Sequence, residues 1–216
     1  FVDPVRTMAR RCKPGSTITV CELGFGFGIN CLLTADMWRD LPPDCRLNFI
    51  SIEKHPVRKQ DLAQLLSKFE FSSHESLLAQ YPHPYRGQHV IWLSHNVRLL
   101  LIFDDIDDAL GNLDAQVDLW FLDGFAPSKN QAMWQPALYR KMFSRSRHGA
   151  EVATYSAAGG VRRGLEYAGF TTRKIDGFGR KSEMLSAKRP GTWQPLESCR
   201  DSITIIGAGL AGIFCA

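Results

Sequence analysis

The chain has 216 residues, 44% hydrophobic and 22% charged, enough for one sizeable core and the start of a second domain. No apolar run reaches the length of a membrane span and no charged-then-apolar leader opens the chain, which speaks against a membrane protein and leaves the cytoplasm as the expected location. The net charge of +4 hides an asymmetry: between Lys129 and Arg189, 13 Lys/Arg stand against 4 Asp/Glu, which fits either a polyanionic partner such as RNA or a solvated basic face.

In chain order, a short helix is expected over Val5 to Arg11, closed by Lys13-Pro14-Gly15. The β-branched run from Thr17 ends in the acid Glu22 and is followed by glycine at every second position, Gly24, Gly26 and Gly28. A helix is expected from Asn30 to Arg39, so this stretch reads as strand, tight loop and helix, a nucleotide-binding loop in which glycine lets a ligand lie against bare main chain. Leu47 to Glu53 is a second strand that also ends in an acid, and Glu53 is the candidate for the ribose hydroxyls of an adenosine. Lys59 to Phe69 reads as a helix, Ser76 to Gln80 as a further helical turn, and 81–87 as a loop. Arg98 to Phe103 is a third strand running into Asp104, Asp105, Asp107 and Asp108. That acidic group lacks the glycine and distal glutamate of a calcium loop, so no metal is expected; Asp105 is assigned to the adenine amino group and the others to capping the next helix.

Val117 to Asp123 is the fourth expected strand and delivers Asp123-Gly124-Phe125-Ala126-Pro127-Ser128-Lys129-Asn130. A carboxylate beside a rigid proline turn can accept hydrogen bonds from an amine and orient its lone pair, which makes Asp123 the catalytic candidate; a turn or capping residue is the plainer alternative. A helix from Trp134 to about Ser146, a strand at Glu151 to Tyr155, a helix from Gly160 to Ala168 and a strand from Thr171 to about Ile175 follow, with 177–186 as a loop or hairpin turn entering a last strand. The alternation implies an α/β fold, a Rossmann-like doubly wound sheet, mostly parallel with an antiparallel edge strand. Lys188 to Asp201 reads as a linker between a domain over 1–187 and the start of another over 202–216, where Gly207, Gly209 and Gly212 form a G-x-G-x-x-G after a strand. The chain starts at Phe1 and stops within an apolar segment, so it reads as a fragment. The six cysteines show no C-x-x-C and no Cys/His ligand spacing, as expected of reduced thiols rather than a structural metal site.

The E-x-G-x-G-x-G pattern resembles motif I of class I S-adenosylmethionine-dependent methyltransferases, whose cofactor has no pyrophosphate but carries a charged amino acid end that Glu22 can help hold. Four blocks together resemble one family. They are Glu22 to Asn30; Leu122 to Asn130 with Met133-Trp134; Tyr155 to Gly164; and Gly177-Phe178-Gly179-Arg180-Lys181-Ser182-Glu183-Met184-Leu185. The family is the bacterial bifunctional proteins that make 5-methylaminomethyl-2-thiouridine at the wobble position of tRNA. There an N-terminal methyltransferase domain precedes an FAD-dependent oxidoreductase domain; the latter removes a carboxymethyl group, and the former methylates the exposed amine. The resemblance implies that Glu22, Gly24, Phe25, Gly26, Gly28, Asn30, Glu53 and Asp105 line the S-adenosylmethionine site. It further implies that Asp123, Gly124 and Phe125 sit by the transferred methyl, and that Gly207, Gly209 and Gly212 begin the FAD site. Lys129, Arg162, Arg163, Arg180 and Lys181 are the candidates for tRNA phosphates, and a monomer is expected. Phe27 stands where the family usually has a small hydroxyl residue, and Asp104 where it has glycine. Two other readings compete: an FAD- or NAD-dependent oxidoreductase centred on Gly207 to Gly212, and a non-catalytic RNA-binding module.

Overall fold

In the computed structural model, residues 2–123, 134–156, 158–176 and 183–197 are described. Runs of apolar residues buried on both faces form the centre of the sheet. In β1 (Ser16–Leu23) seven of eight residues are buried, and β5 (Val117–Leu122) is buried throughout. Such continuous burial belongs to strands covered by helices on both sides.

With β2 (Arg46–Glu53), β3 (Gly87–Ser94), β4 (Val97–Phe103), β6 (Ser146–Thr154), β7 (Thr171–Asp176) and β8 (Glu183–Lys188), the sheet runs β3-β4-β2-β1-β5-β6-β8-β7. The block β4-β2-β1-β5-β6 is parallel. β3 is an antiparallel edge strand at one end, and at the other β8 is antiparallel to both β6 and the outermost β7. Helices α1 (Val2–Arg11), α2 (Ile29–Arg39), α3 (Lys59–Leu66) and α4 (His74–Gln80) cover one face, burying Met8, Leu32, Trp38, Leu62 and Leu77. Helices α5 (Ile106–Asn112), α6 (Pro136–Arg145) and α7 (Gly159–Ala168) cover the other with Leu110, Tyr139, Met142 and Leu165.

Three features differ from the sequence reading. β3, absent from it, forms a hairpin with β4 whose turn contains no glycine; the buried Asn96 holds it through Ser94 Oγ (2.8 Å) and the carbonyls of Trp38 and Cys45 (3.3 Å each). The strand expected from Val117 is consequently the fifth, and it ends at Leu122. β6 begins at Ser146, directly after α6 and five residues before the expected start, because Ser146 Oγ accepts from Trp120 Nε1 and donates to Met142 O, both at 2.8 Å.

The stretch expected as a linker, 188–201, is described as far as Glu197, and that part is docked. β9 (Leu196–Glu197) pairs antiparallel with Ser16 and Thr17 of β1. Trp193 Nε1 donates to Asp118 Oδ1 at 2.9 Å, and the Arg11 guanidinium lies 6.0 Å from the Trp193 ring centroid. Gly149 (φ 75°) leaves room for the Trp193 backbone, whose nitrogen would lie 2.7 Å from a Cβ there. Among the described residues no helix is long and apolar enough to cross a membrane, and no three His, Cys, Asp or Glu converge to hold a metal ion.

Candidate functional site at the carboxyl edge of the sheet

β1, β2, β4 and β5 all end on the same edge, and parallel strands deliver their last residues into one crevice. Glu22, Glu53, Asp105 and Asp123 lie at or just past these ends. The glycine loop turns off β1 through three left-handed positions, Gly24 (φ 102°), Gly26 (φ 53°) and Gly28 (φ 71°). Phe25 explains one of them: its ring folds under the loop, 3% exposed and stacked on Tyr81 at 6.4 Å, and a Cβ on Gly28 would lie 2.6 Å from its Cζ. Phe25 is therefore the loop's internal support. At Gly26 a Cβ would meet nothing within 4 Å, so open space lies over the bare backbone.

Glu22 is 1% exposed. Its Oε1 accepts from Asn30 Nδ2 at 2.9 Å and its Oε2 from Ser51 Oγ at 2.8 Å. Both partners are neutral. Burial pushes the Glu22 carboxyl up to about 8; the two hydrogen bonds work against that shift, and the nearby Asp123 and Glu53 carboxylates add to it. The same Asn30 nitrogen donates to Asp123 Oδ2 at 2.7 Å, so one carboxamide in the first turn of α2 ties together the acids that end β1 and β5.

Glu53 closes the loop from the other side, accepting from Gly26 N at 3.0 Å and His55 N at 2.8 Å. Asp105 is itself the cap of α5, accepting from Asp107 N at 2.9 Å, and its other oxygen accepts from Lys54 Nζ at 2.9 Å. The Asp107 amide first, then Lys54, hold its carboxyl below the usual range. The capping role expected of its neighbours thus falls to Asp105 itself, and Asp104 instead pairs with Arg86 Nε at 2.7 Å. Tyr155, just past β6, has its phenol raised by burial and then by the Asp123 carboxylate. Arg162 and Arg163 lie exposed on α7, Arg162 3.8 Å from Glu166. Gly124, Phe125, Lys129, Arg180, Lys181, Gly207, Gly209 and Gly212 lie outside the described residues.

Ser51 and Tyr155 are the site-forming residues that sequence reasoning passed over. Ser51 carried a signal, a hydroxyl within the apolar run Phe49 to Ile52, where a buried polar group needs a partner. The crevice combines bare main chain, a buried acid whose partners among the described residues are neutral, and a second acid within one carboxamide of it. This fits a ligand with a cationic end and an adenosine.

A family model described as S-adenosyl-L-methionine-dependent methyltransferase matches residues 69–190. Among curated proteins, the chain is 44% identical over 206 residues to the tRNA 5-methylaminomethyl-2-thiouridine biosynthesis bifunctional protein MnmC of Chromohalobacter salexigens, covering 88% of this chain and 30% of that one. The protein of the same name from Ralstonia nicotianae is 40% identical over 208 residues, 91% of this chain and 32% of that one. The chain therefore spans about a third of the length of these relatives. Among solved structures, MNMC2 from Aquifex aeolicus superposes with a TM-score of 0.66 at 23% identity, over 89% of this chain and 61% of that one, a likeness of fold. With more than half of its residues matched by the family model, the chain belongs to the S-adenosyl-L-methionine-dependent methyltransferases, and S-adenosylmethionine is its methyl donor.

Proposed function

We propose that the chain transfers the methyl group of S-adenosylmethionine to the amine of 5-aminomethyl-(2-thio)uridine at the tRNA wobble position, giving 5-methylaminomethyl-(2-thio)uridine. The observation that carries the reading is the Glu22, Asn30, Asp123 array, which sets a buried acid for the donor's ammonium beside an acid for an acceptor amine. The names of the relatives support the substrate.

When bound, the cofactor supplies an electrophilic methyl on a sulfonium. In this reading Glu22 receives the ammonium of its amino acid end, the main chain of Gly24, Phe25, Gly26 and Gly28 lies along it, and Glu53 takes the ribose hydroxyls. Asp105 keeps acceptor capacity for the adenine amino group, since a carboxylate offers about four lone-pair sites and two are in use. An alkyl amine with a pKa near that of lysine, about 10, is mostly protonated at neutral pH and must lose a proton to solvent before attack. Asp123 accepts a hydrogen bond from that amine and turns its lone pair toward the methyl, while Asn30 fixes the carboxylate's orientation. The family resemblance assigns Gly124 and Phe125, next in the sequence, to the same role.

Lys129, Arg162, Arg163, Arg180 and Lys181 are proposed to meet tRNA phosphates. We further propose a methyltransferase domain over 1–187, a connection over 188–201 and an FAD-dependent oxidoreductase domain beginning at 202, with Gly207, Gly209 and Gly212 in its FAD site. The same reading puts a monomeric chain in the cytoplasm. Asp123→Asn tests it: methyl transfer to tRNA carrying 5-aminomethyluridine should fall at least about a hundredfold, within the span usual for acid–base groups, with cofactor affinity within a few fold. A fully active variant would reduce Asp123 to a turn residue.

A further inference from the structure

α6 and α7 both start from the carboxyl edge of the sheet, α7 five residues after Thr154, which pairs with Leu122 of β5 next to Asp123. Between them lies a groove of about 530 Å³. Its α7 wall is Gly160, Arg163, Gly164 and Tyr167, spaced i, i+3, i+4 and i+7 and therefore on one face; its α6 wall includes Tyr139 and Arg140. The helices meet at Gly164, where a Cβ would lie 2.6 Å from Cδ2 of the buried Tyr139 ring. The two glycines leave the α7 wall low, and Tyr167 stands beside it with 76% of its surface in solvent.

The charge is unbalanced. Among the described residues, neither Arg140 nor Arg163 has a carboxylate partner, whereas Arg162 on the same helix has Glu166. Among the described residues no acid lines the groove. A protein segment would call for a stripe of aliphatic side chains, as helix-in-groove recognition uses. Two unpaired guanidinium groups with an exposed aromatic ring are what unstacked bases and their phosphates call for.

We infer that the α6/α7 groove receives a single-stranded nucleotide adjoining the target uridine, its base stacked on Tyr167 and its phosphates met by Arg140 and Arg163. The inference rests on the tRNA reading above and deepens it, since it adds Tyr167 and Arg140 and requires unpaired RNA. Sequence-tolerant stacking in this groove would hold the loop in place while leaving base choice to the acceptor site.

The test measures binding of the 216-residue chain across a salt series, with an anticodon stem-loop RNA bearing a wobble uridine and a fully paired RNA duplex as probes. Tyr167→Ala should weaken the stem-loop about tenfold or more and leave the duplex unchanged, and Tyr167→Phe should keep the stem-loop affinity because the ring remains. Arg140→Gln should lower the salt slope of stem-loop binding by about one. Tyr167 is exposed, so its variants should keep the fold, which S-adenosylmethionine binding verifies. If the wild-type chain binds the stem-loop salt-dependently and Tyr167→Ala binds it equally well, the groove proposal fails while the tRNA reading stands. If the wild-type chain binds no stem-loop, the tRNA reading fails and takes this one with it. Unchanged RNA affinity together with loss of self-association in sedimentation would assign the groove to a second copy of the chain and overturn the proposal.

Discussion

Two carboxylates, each 1% exposed, lie toward opposite ends of the central strands, and they are solved differently. Asp118, near the start of β5, accepts from Thr19 N at 2.8 Å and Trp193 Nε1 at 2.9 Å and has the Arg147 guanidinium at 3.4 Å. Burial raises its carboxyl, and the Thr19 amide, Arg147 and Trp193 all work against that rise. Glu22, at the end of β1, has two neutral donors and two acids nearby, and stands at about 8. Asp118 has its cation within the fold; among the described residues Glu22 has none. A buried acid without an internal cation costs stability and is retained where a ligand supplies the charge. The difference separates the structural edge, where the chain's C-terminal stretch docks, from the chemical edge.

The comparison breaks most directly at Asp118. Asp118→Ala strands Arg147 and frees Trp193, and should cost about 3–5 kcal/mol in urea unfolding, the range for breaking a buried pair. A loss under about 1 kcal/mol, the range of an exposed pair, would make the docked stretch incidental.

Glu22→Gln should do the opposite to the fold. A carboxyl raised in the folded state contributes stability that is fully present below its unfolded value of about 4.5 and is lost as pH rises through about 8. A neutral amide removes that loss, so at pH 8 to 9 the variant without cofactor should equal or exceed the wild type in thermal stability. Its affinity for S-adenosylmethionine should nevertheless fall about tenfold or more, the worth of a charge-assisted hydrogen bond.

Gly164→Ala sharpens the account of the groove. In an exposed helix interior the change would add about 1 kcal/mol, but the Tyr139 ring occupies the Cβ position, so a net loss of about 1–3 kcal/mol in denaturant unfolding is expected. The smallest effect is expected at Phe27, which is 38% exposed at the loop tip: Phe27→Ser should change cofactor affinity by no more than about threefold in titration calorimetry, as for surface changes generally.

Four of the five parallel strands were legible because each is an apolar run leading into an acid, and Glu22, Glu53 and Asp123 all fall at such ends. β3 was not, because its turn is held by the side chain of Asn96 instead of a glycine signal. Residues 147–150 fall between the expected helix and the expected strand because Arg147, His148 and Gly149 lack strand composition, yet pairing with β5 and the bulge after Val117 carry them into β6. Trp193 sits in a proline-bearing stretch whose partner, Asp118, is 75 residues away, a distance across which local patterns say nothing. In the site, residue types were readable and linkage was not. Asn30 was placed with the cofactor, but its bond to Asp123 depends on β1 and β5 being neighbours.

The central claim is that Glu22 awaits a cation. Titration calorimetry with S-adenosylmethionine at pH 7, in buffers of different ionisation enthalpy, measures it directly. Wild type should bind with release of close to one proton, as the arriving ammonium returns Glu22 to its charged form, and Glu22→Gln should bind more weakly with no proton released from this position. Wild-type binding with no proton exchange, or an identical exchange in Glu22→Gln, would contradict the account.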